Sequence, residues 1–134
     1  MVARLRYGVL IAGVLGVGAA AEAAAQADSL PDGITSAMIS SGKKLFGGEG
    51  LCLACHGPDG KGVIGPDLTD KTWLHGKGSY AEIVARVFAG VGSDSSRSGQ
   101  IMPPRGGSGI SDEQVRAVAA YVWTLSNRSK KKGD

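Results

Sequence analysis

Cys52-Leu53-Ala54-Cys55-His56 places two thiols three positions apart and an imidazole directly beside the second; these are the chain's two cysteines. Thiols at that separation are spaced to form thioethers to the two vinyl-derived carbons on one edge of a porphyrin. The adjacent histidine then reaches the iron from one face. A redox dithiol would instead open a helix that follows a strand, whereas here a turn, Gly47-Gly48-Glu49-Gly50, leads in. A zinc site needs two further ligands at suitable spacing, and His75 is the one other histidine. The spacing therefore favours covalent attachment of one c-type haem, over a disulfide or a metal site.

An iron held by one histidine has a sixth position to fill. Met102 is the best candidate, because Met102-Pro103-Pro104 cannot be helical and the prolines restrain the backbone that carries the thioether. Sulfur is a soft ligand that raises the reduction potential relative to bis-histidine ligation. Met38 falls on a helical stripe before the motif, where packing is its expected role. His75 could serve only if the loop from Trp73 to Gly78 folded over the haem.

The elements that must hold these groups read as short helices joined by glycine-rich loops. Ser36 to Phe46 is expected as a helix with Met38, Leu45 and Phe46 on one side, and Gly42 within it as the place of a close helix crossing. Ser79-Tyr80-Ala81-Glu82 is a capping box opening a second helix, which carries Ile83, Val84, Val87 and Phe88 and stops at Gly90. Ser111-Asp112-Glu113-Gln114 opens the last helix, with an apolar stripe of Val115, Val118, Ala119, Val122 and Leu125. Period-two alternation is absent between these helices, so the fold class is all-α, in one small domain over 36–127.

The 134 residues also include a beginning that is set aside from the fold. Arg4 and Arg6 precede an apolar stretch from Val9 to Ala20, and Ala25-Gln26-Ala27 has small residues where signal peptidase reads. Residues 1–27 are therefore expected to be a cleaved secretory signal, which leaves no stable membrane insertion, and 28–35 a flexible lead-in. Export fits the motif, since bacteria attach c-type haem outside the cytoplasmic membrane; the expected location is the periplasm. Losing Arg4, Arg6 and Glu22 lowers the formal charge from +3 to about +2. Much of that excess sits in a basic tail, 128–134, a solvated end rather than a binding site. Nothing in the composition points to nucleic acid. The chain is poor in aromatics, so a buried porphyrin would supply much of its apolar core.

With these residues in view, the chain resembles a class I cytochrome c from about Ser36 to Ser126. Gly42 with Phe46, the Cys52–Gly57 run, Gly65-Pro66, Met102-Pro103 and Tyr121-Val122-Trp123-Thr124-Leu125-Ser126 carry the likeness. Within that family it is most similar to the C-terminal haem domain of the dihaem subunit of bacterial high-affinity haem–copper oxidases, through Leu68-Thr69-Asp70, Trp73-Leu74, Gly76 and the helix from Tyr80. The resemblance implies thioethers at Cys52 and Cys55, a proximal ligand in His56 and a distal one in Met102. It also implies that the Pro66 carbonyl accepts the Nδ1–H of His56, and that Gly42 and Phe46 meet the last helix near Tyr121. Trp73 and Arg105 stand where a haem propionate could be bound. One departure is the polar stretch Gly92-Ser93-Asp94-Ser95-Ser96-Arg97-Ser98-Gly99, longer than the usual link before the methionine. It reads as a surface loop, either a neutral extension or a partner-recognition element.

The function expected on this reading is one-electron transfer, without catalysis. The leading form is a monomeric periplasmic shuttle between a donor dehydrogenase and an acceptor oxidase or reductase. A haem subunit held permanently in a periplasmic oxidoreductase is the alternative. A haem enzyme or gas sensor with a displaceable methionine is the third possibility.

Overall fold

The structure is a computed structural model and describes residues 30–127. The expected signal, 1–27, and the basic tail, 128–134, lie outside the described residues. The described chain folds as four α-helices: α1 (Ser36–Gly47), α2 (Leu53–His56), α3 (Tyr80–Ala89) and α4 (Asp112–Asn127). Two short 3₁₀ turns, Ser93–Ser95 and Pro104–Gly107, lie between α3 and α4. Among the described residues there is no strand, only one isolated antiparallel bridge between Val91 and Met102. The all-α expectation holds.

Local chemistry starts and stops each helix. The Met38 amide donates to the Thr35 hydroxyl at 3.1 Å, which satisfies one of the amides that the first turn of α1 leaves without a helical partner. At α3 the Ser79 amide donates to the Glu82 carboxylate at 2.9 Å, and the Glu82 amide returns a bond to the Ser79 hydroxyl. Gly90, at φ 69°, then ends the helix in a conformation that a side chain would strain. A reciprocal pair at Ser111 and Gln114 opens α4 in the same way.

The expected flexible lead-in is tied down at its C-terminal end. Ile34 is buried, its amide bonds the Pro31 carbonyl at 3.1 Å, and Thr35 caps α1. An apolar side chain that reaches the core anchors the backbone on either side of it, and the sequence alone offers no periodic pattern to reveal one isolated anchor.

α1 crosses α4 at Gly42, where a methyl group would stand 1.9 Å from the Ala117 carbonyl oxygen and 3.0 Å from the Tyr121 Cβ. The bare backbone lets the helices touch directly. Close to the crossing, the Phe46 and Tyr121 rings meet edge to face, with centroids 5.4 Å apart. α4 is the hub of the core. Its expected stripe is buried, but so are Ala117, Ala120, Tyr121, Thr124 and Ser126. α1, α3 and the loop that brings Gly60 against Leu125 pack on several sides of this helix. The apolar stripe alone understates that burial, because alanine, threonine and serine serve as contact surface where the neighbours come closest.

Candidate functional site

Between the Cys52–His56 motif, α3, α4 and the Met102 segment lies a cleft of about 1160 Å³, counting its open mouth. Its wall is mainly apolar: Phe46, Leu68, Ile83, Val87, Val118 and Val122 contribute from three helices and a loop. Cys52, Cys55, His56, Pro66, Trp73 and Met102 also line it, so six of the seven expected site residues share one cavity. Arg105 does not.

The motif is held in shape from behind. Cys52 precedes the single turn of α2, and three successive amides, Val63, Ile64 and Gly65, converge on the Cys55 carbonyl at 2.9–3.2 Å. That return loop brings Pro66 back to the histidine. His56 is 8% exposed, and its Nδ1–H donates to the Pro66 carbonyl oxygen at 2.9 Å. With Nδ1 committed as donor, Nε2 is the nitrogen free to bind a metal, and the ring is fixed in orientation. Gly65 packs flat on the imidazole, where an added methyl would lie 3.1 Å from Cε1.

Both thiols are free. Burial, reinforced by the charge of the neighbouring Cys55, pushes the Cys52 thiol up to about 11 despite a backbone hydrogen bond that opposes the shift. Redox dithiols and other reactive cysteines depend on a depressed thiol pKa. A raised one is the reverse of that chemistry and suits a side chain meant to be alkylated once and then buried. Among the described residues, His, Cys, Asp and Glu side chains do not gather in threes around a common point as a structural zinc requires.

Met102 sits on the opposite stretch of the wall in sequence, and its backbone is clamped. Its amide donates to the Val91 carbonyl at 2.9 Å and its carbonyl accepts from the Val91 amide at 2.8 Å. Gly90 makes the approach possible, since a side chain there would collide with the Met102 carbonyl. The sequence points to Pro103 as the restraint. The structure adds Val91, a partner that only the closure of the intervening loop brings near. The polar segment 92–99 therefore leaves and re-enters through one paired base, and its Ser96 hydroxyl ties down the Gln100 carbonyl at 2.7 Å.

The other expected groups divide. Trp73 is half-buried, lines the cleft and packs its indole on Gly78. His75 also lines the cleft, whereas Met38 stays on α1 away from it, half-buried. Arg105 faces elsewhere. In a left-handed backbone conformation at φ 55°, it donates to the Ile110 carbonyl at 2.8 Å and pairs with Asp112 at 2.7 Å, while its guanidinium lies over the Phe88 ring. Its position after Pro104 suggested a propionate contact, but the turn directs it to the start of α4.

A covalent porphyrin fits this donor set: two free thiols on the wall, one histidine with its outer nitrogen fixed, one thioether, and apolar side chains around them. The cytochrome c family model matches residues 39–126. Curated relatives include the CcoP subunit of the cbb3-type cytochrome c oxidase of Rubrivivax gelatinosus, 39% identical over 84 residues, which is 59% of this chain and 24% of that protein. The CcoP subunit of Rhodobacter capsulatus is 35% identical over 95 residues, 66% of this chain and 30% of the relative. The FixP subunit of Bradyrhizobium diazoefficiens is 33% identical over 119 residues, 86% of this chain and 40% of the relative. The chain thus spans about a quarter to two fifths of the length of these relatives. No solved structure gives a significant match. With the family match running from α1 through the motif and Met102 to the end of α4, the chain belongs to the cytochrome c family and is an electron carrier built around c-type haem.

Proposed function

We propose that this chain is the electron-transferring haem subunit of a periplasmic oxidoreductase assembly, of the kind its CcoP and FixP relatives are named for. The single observation behind the electron-transfer site is that one cleft brings His56, fixed through Pro66, together with a clamped Met102. The haem supplies a one-electron ferric–ferrous couple. Cys52 and Cys55 hold it by thioethers, His56 Nε2 and the Met102 sulfur are its axial ligands, and the apolar wall excludes water. Two protein ligands leave no position for a substrate, so the chain relays electrons and does no bond chemistry of its own. One Cys-x-x-Cys-His run means one haem in this chain.

Leu51, Ile64 and Ile101 line the mouth of the cleft and are 52–63% exposed. They form an apolar rim against which a partner's own redox centre comes close. Electron-transfer contacts of this type are small and weak unless the partner is permanent. The relatives, all oxidase subunits by name, favour the permanent arrangement over the freely diffusing monomeric shuttle that composition alone suggested. The arginines and apolar stretch before Ala27 support export to the periplasm, and no described helix is long and apolar enough to cross a membrane.

The test is purification of the tagged chain from gently solubilised native cells, followed by size exclusion. Co-elution with a haem–copper oxidase, detected by its spectrum, supports the subunit reading. Elution of the holoprotein alone, at the size of one chain, returns the shuttle. Carbon monoxide binding to the reduced protein at neutral pH would overturn both in favour of a gas-binding site.

A further inference from the structure

Arg105 is occupied elsewhere, and a second arginine stands in the cleft. Arg86, on the last turn of α3, lines the wall beside Ile83 and Val87. One terminal nitrogen reaches the Gly90 carbonyl at 3.4 Å, a long contact, and its Nε is buried with no hydrogen-bond partner. Leaving a charged donor buried and unpaired is costly, and native folds seldom tolerate it without a ligand or ion to satisfy it. The acid that lines the same cleft does not serve: the Asp67 carboxylate is held by the amide and hydroxyl of Thr69 at 2.6 and 2.7 Å. Among the described residues, the ion pair formed is Arg105–Asp112, away from this wall.

The field on this side of the cleft is positive. His75 lines the cleft too, and its imidazole is held below its ordinary pKa by burial first, then by the charges of Arg86 and Arg97. An unpaired guanidinium facing an apolar cleft, in a positive field, calls for an anion. The anion a c-type haem brings is a propionate carboxylate.

We propose that Arg86 anchors a haem propionate, through the guanidinium donors that the fold leaves unpaired. This rests on the haem reading above. Arg86 acts on the haem through charge and hydrogen bonding at the carboxylate, not on the iron. Its contact with Gly90 ties the same arginine to the turn that precedes the Val91–Met102 clamp. A purely structural role would therefore show at the methionine ligand instead.

The experiment is the pH dependence of the reduction potential in the full-length holoprotein, in a His75→Asn background so that the imidazole does not titrate. Parent, Arg86→Gln, Arg86→Lys and Arg97→Gln are compared. An alkaline pyridine spectrum first establishes thioether-linked haem in each; if the parent lacks it, the haem reading fails and not merely this inference. Loss of an opposite charge at contact distance weakens an acid by about tenfold or more. Arg86→Gln should therefore move the propionate bend in the curve upward by about one pH unit or more, with the far-red sulfur-to-iron band retained. Arg86→Lys should return most of that shift, and Arg97→Gln should leave the bend in place. Superimposable curves for parent and Arg86→Gln overturn the proposal, as does a variant that loses the far-red band without moving the bend. If Arg86→Gln yields no holoprotein, Arg86→Lys decides: a smaller upward shift supports the anchor and an unchanged curve refutes it.

Discussion

Replacing Gly42 with alanine tests how closely the two long helices must approach. The new methyl would sit 1.9 Å from the Ala117 carbonyl oxygen, and both atoms belong to helix backbone that no rotamer change can move. Reaching even a tight contact requires the helices to part by about 1.3 Å, and a gap of about 1 Å already forfeits up to half of a dispersion well. The loss falls on the edge-to-face pair of Phe46 and Tyr121 and on the rest of the crossing. Overpacking of this kind costs up to about 3 kcal/mol. Alanine returns about 1 kcal/mol through its better helix propensity. The net is a loss of about 2 kcal/mol, which for a domain of this size lowers Tm by roughly 10 °C. Thermal unfolding of the holoprotein, followed by far-ultraviolet circular dichroism and by the haem Soret band, measures it. A Gly42→Ala variant as stable as the parent, or more stable, would show that propensity outweighs contact and that the crossing is looser than described.

Met102→Ala should abolish the far-red band, lower the reduction potential and admit carbon monoxide to the reduced protein; an unchanged spectrum would remove Met102 as the ligand. Deleting Ser93 to Ser98 should leave that band and the potential in place, because the Val91–Met102 bridge closes below the loop, and electron transfer to the partner reports separately whether the loop recognises it. Glu82 carries a carboxylate held below its usual range, first by the Ser79 amide, then by the Lys77 amide and the Ser79 hydroxyl. A depressed folded-state pKa contributes stability above the unfolded value that is lost as pH falls through the folded one. Glu82→Gln should accordingly destabilise near neutral pH, with the gap to the parent closing in acid; denaturant midpoints at pH 7 and pH 3 show whether it does.

Much of the site was legible in the residues. Motif spacing alone marks Cys52, Cys55 and His56, and the Met-Pro-Pro run marks Met102, since both signals are local and carry their own chemistry. The capping boxes at Ser79 and Ser111 likewise place two helix starts correctly, because a cap is a bargain between residues three apart. Pro66 came from family resemblance, and the structure supplies the bond at 2.9 Å. Arg105 and Arg86 show where such reading stops. Which of two arginines faces a cleft depends on a backbone turn at Arg105 and on the orientation of α3, and neither leaves a pattern in the sequence.

The sequence by itself determined the cofactor chemistry, the candidate axial ligands and the helical class, because thioether spacing, ligand type and helix periodicity are properties of neighbouring residues. Only the tertiary structure decided how those pieces act together. It brought Val91 across an eleven-residue separation to clamp Met102, set Gly42 against Ala117, turned Arg105 toward Asp112 and left Arg86 unpaired in the cleft. Each of these depends on distance and direction between segments far apart in the chain, and those are set by packing around α4, not by any one stretch of residues.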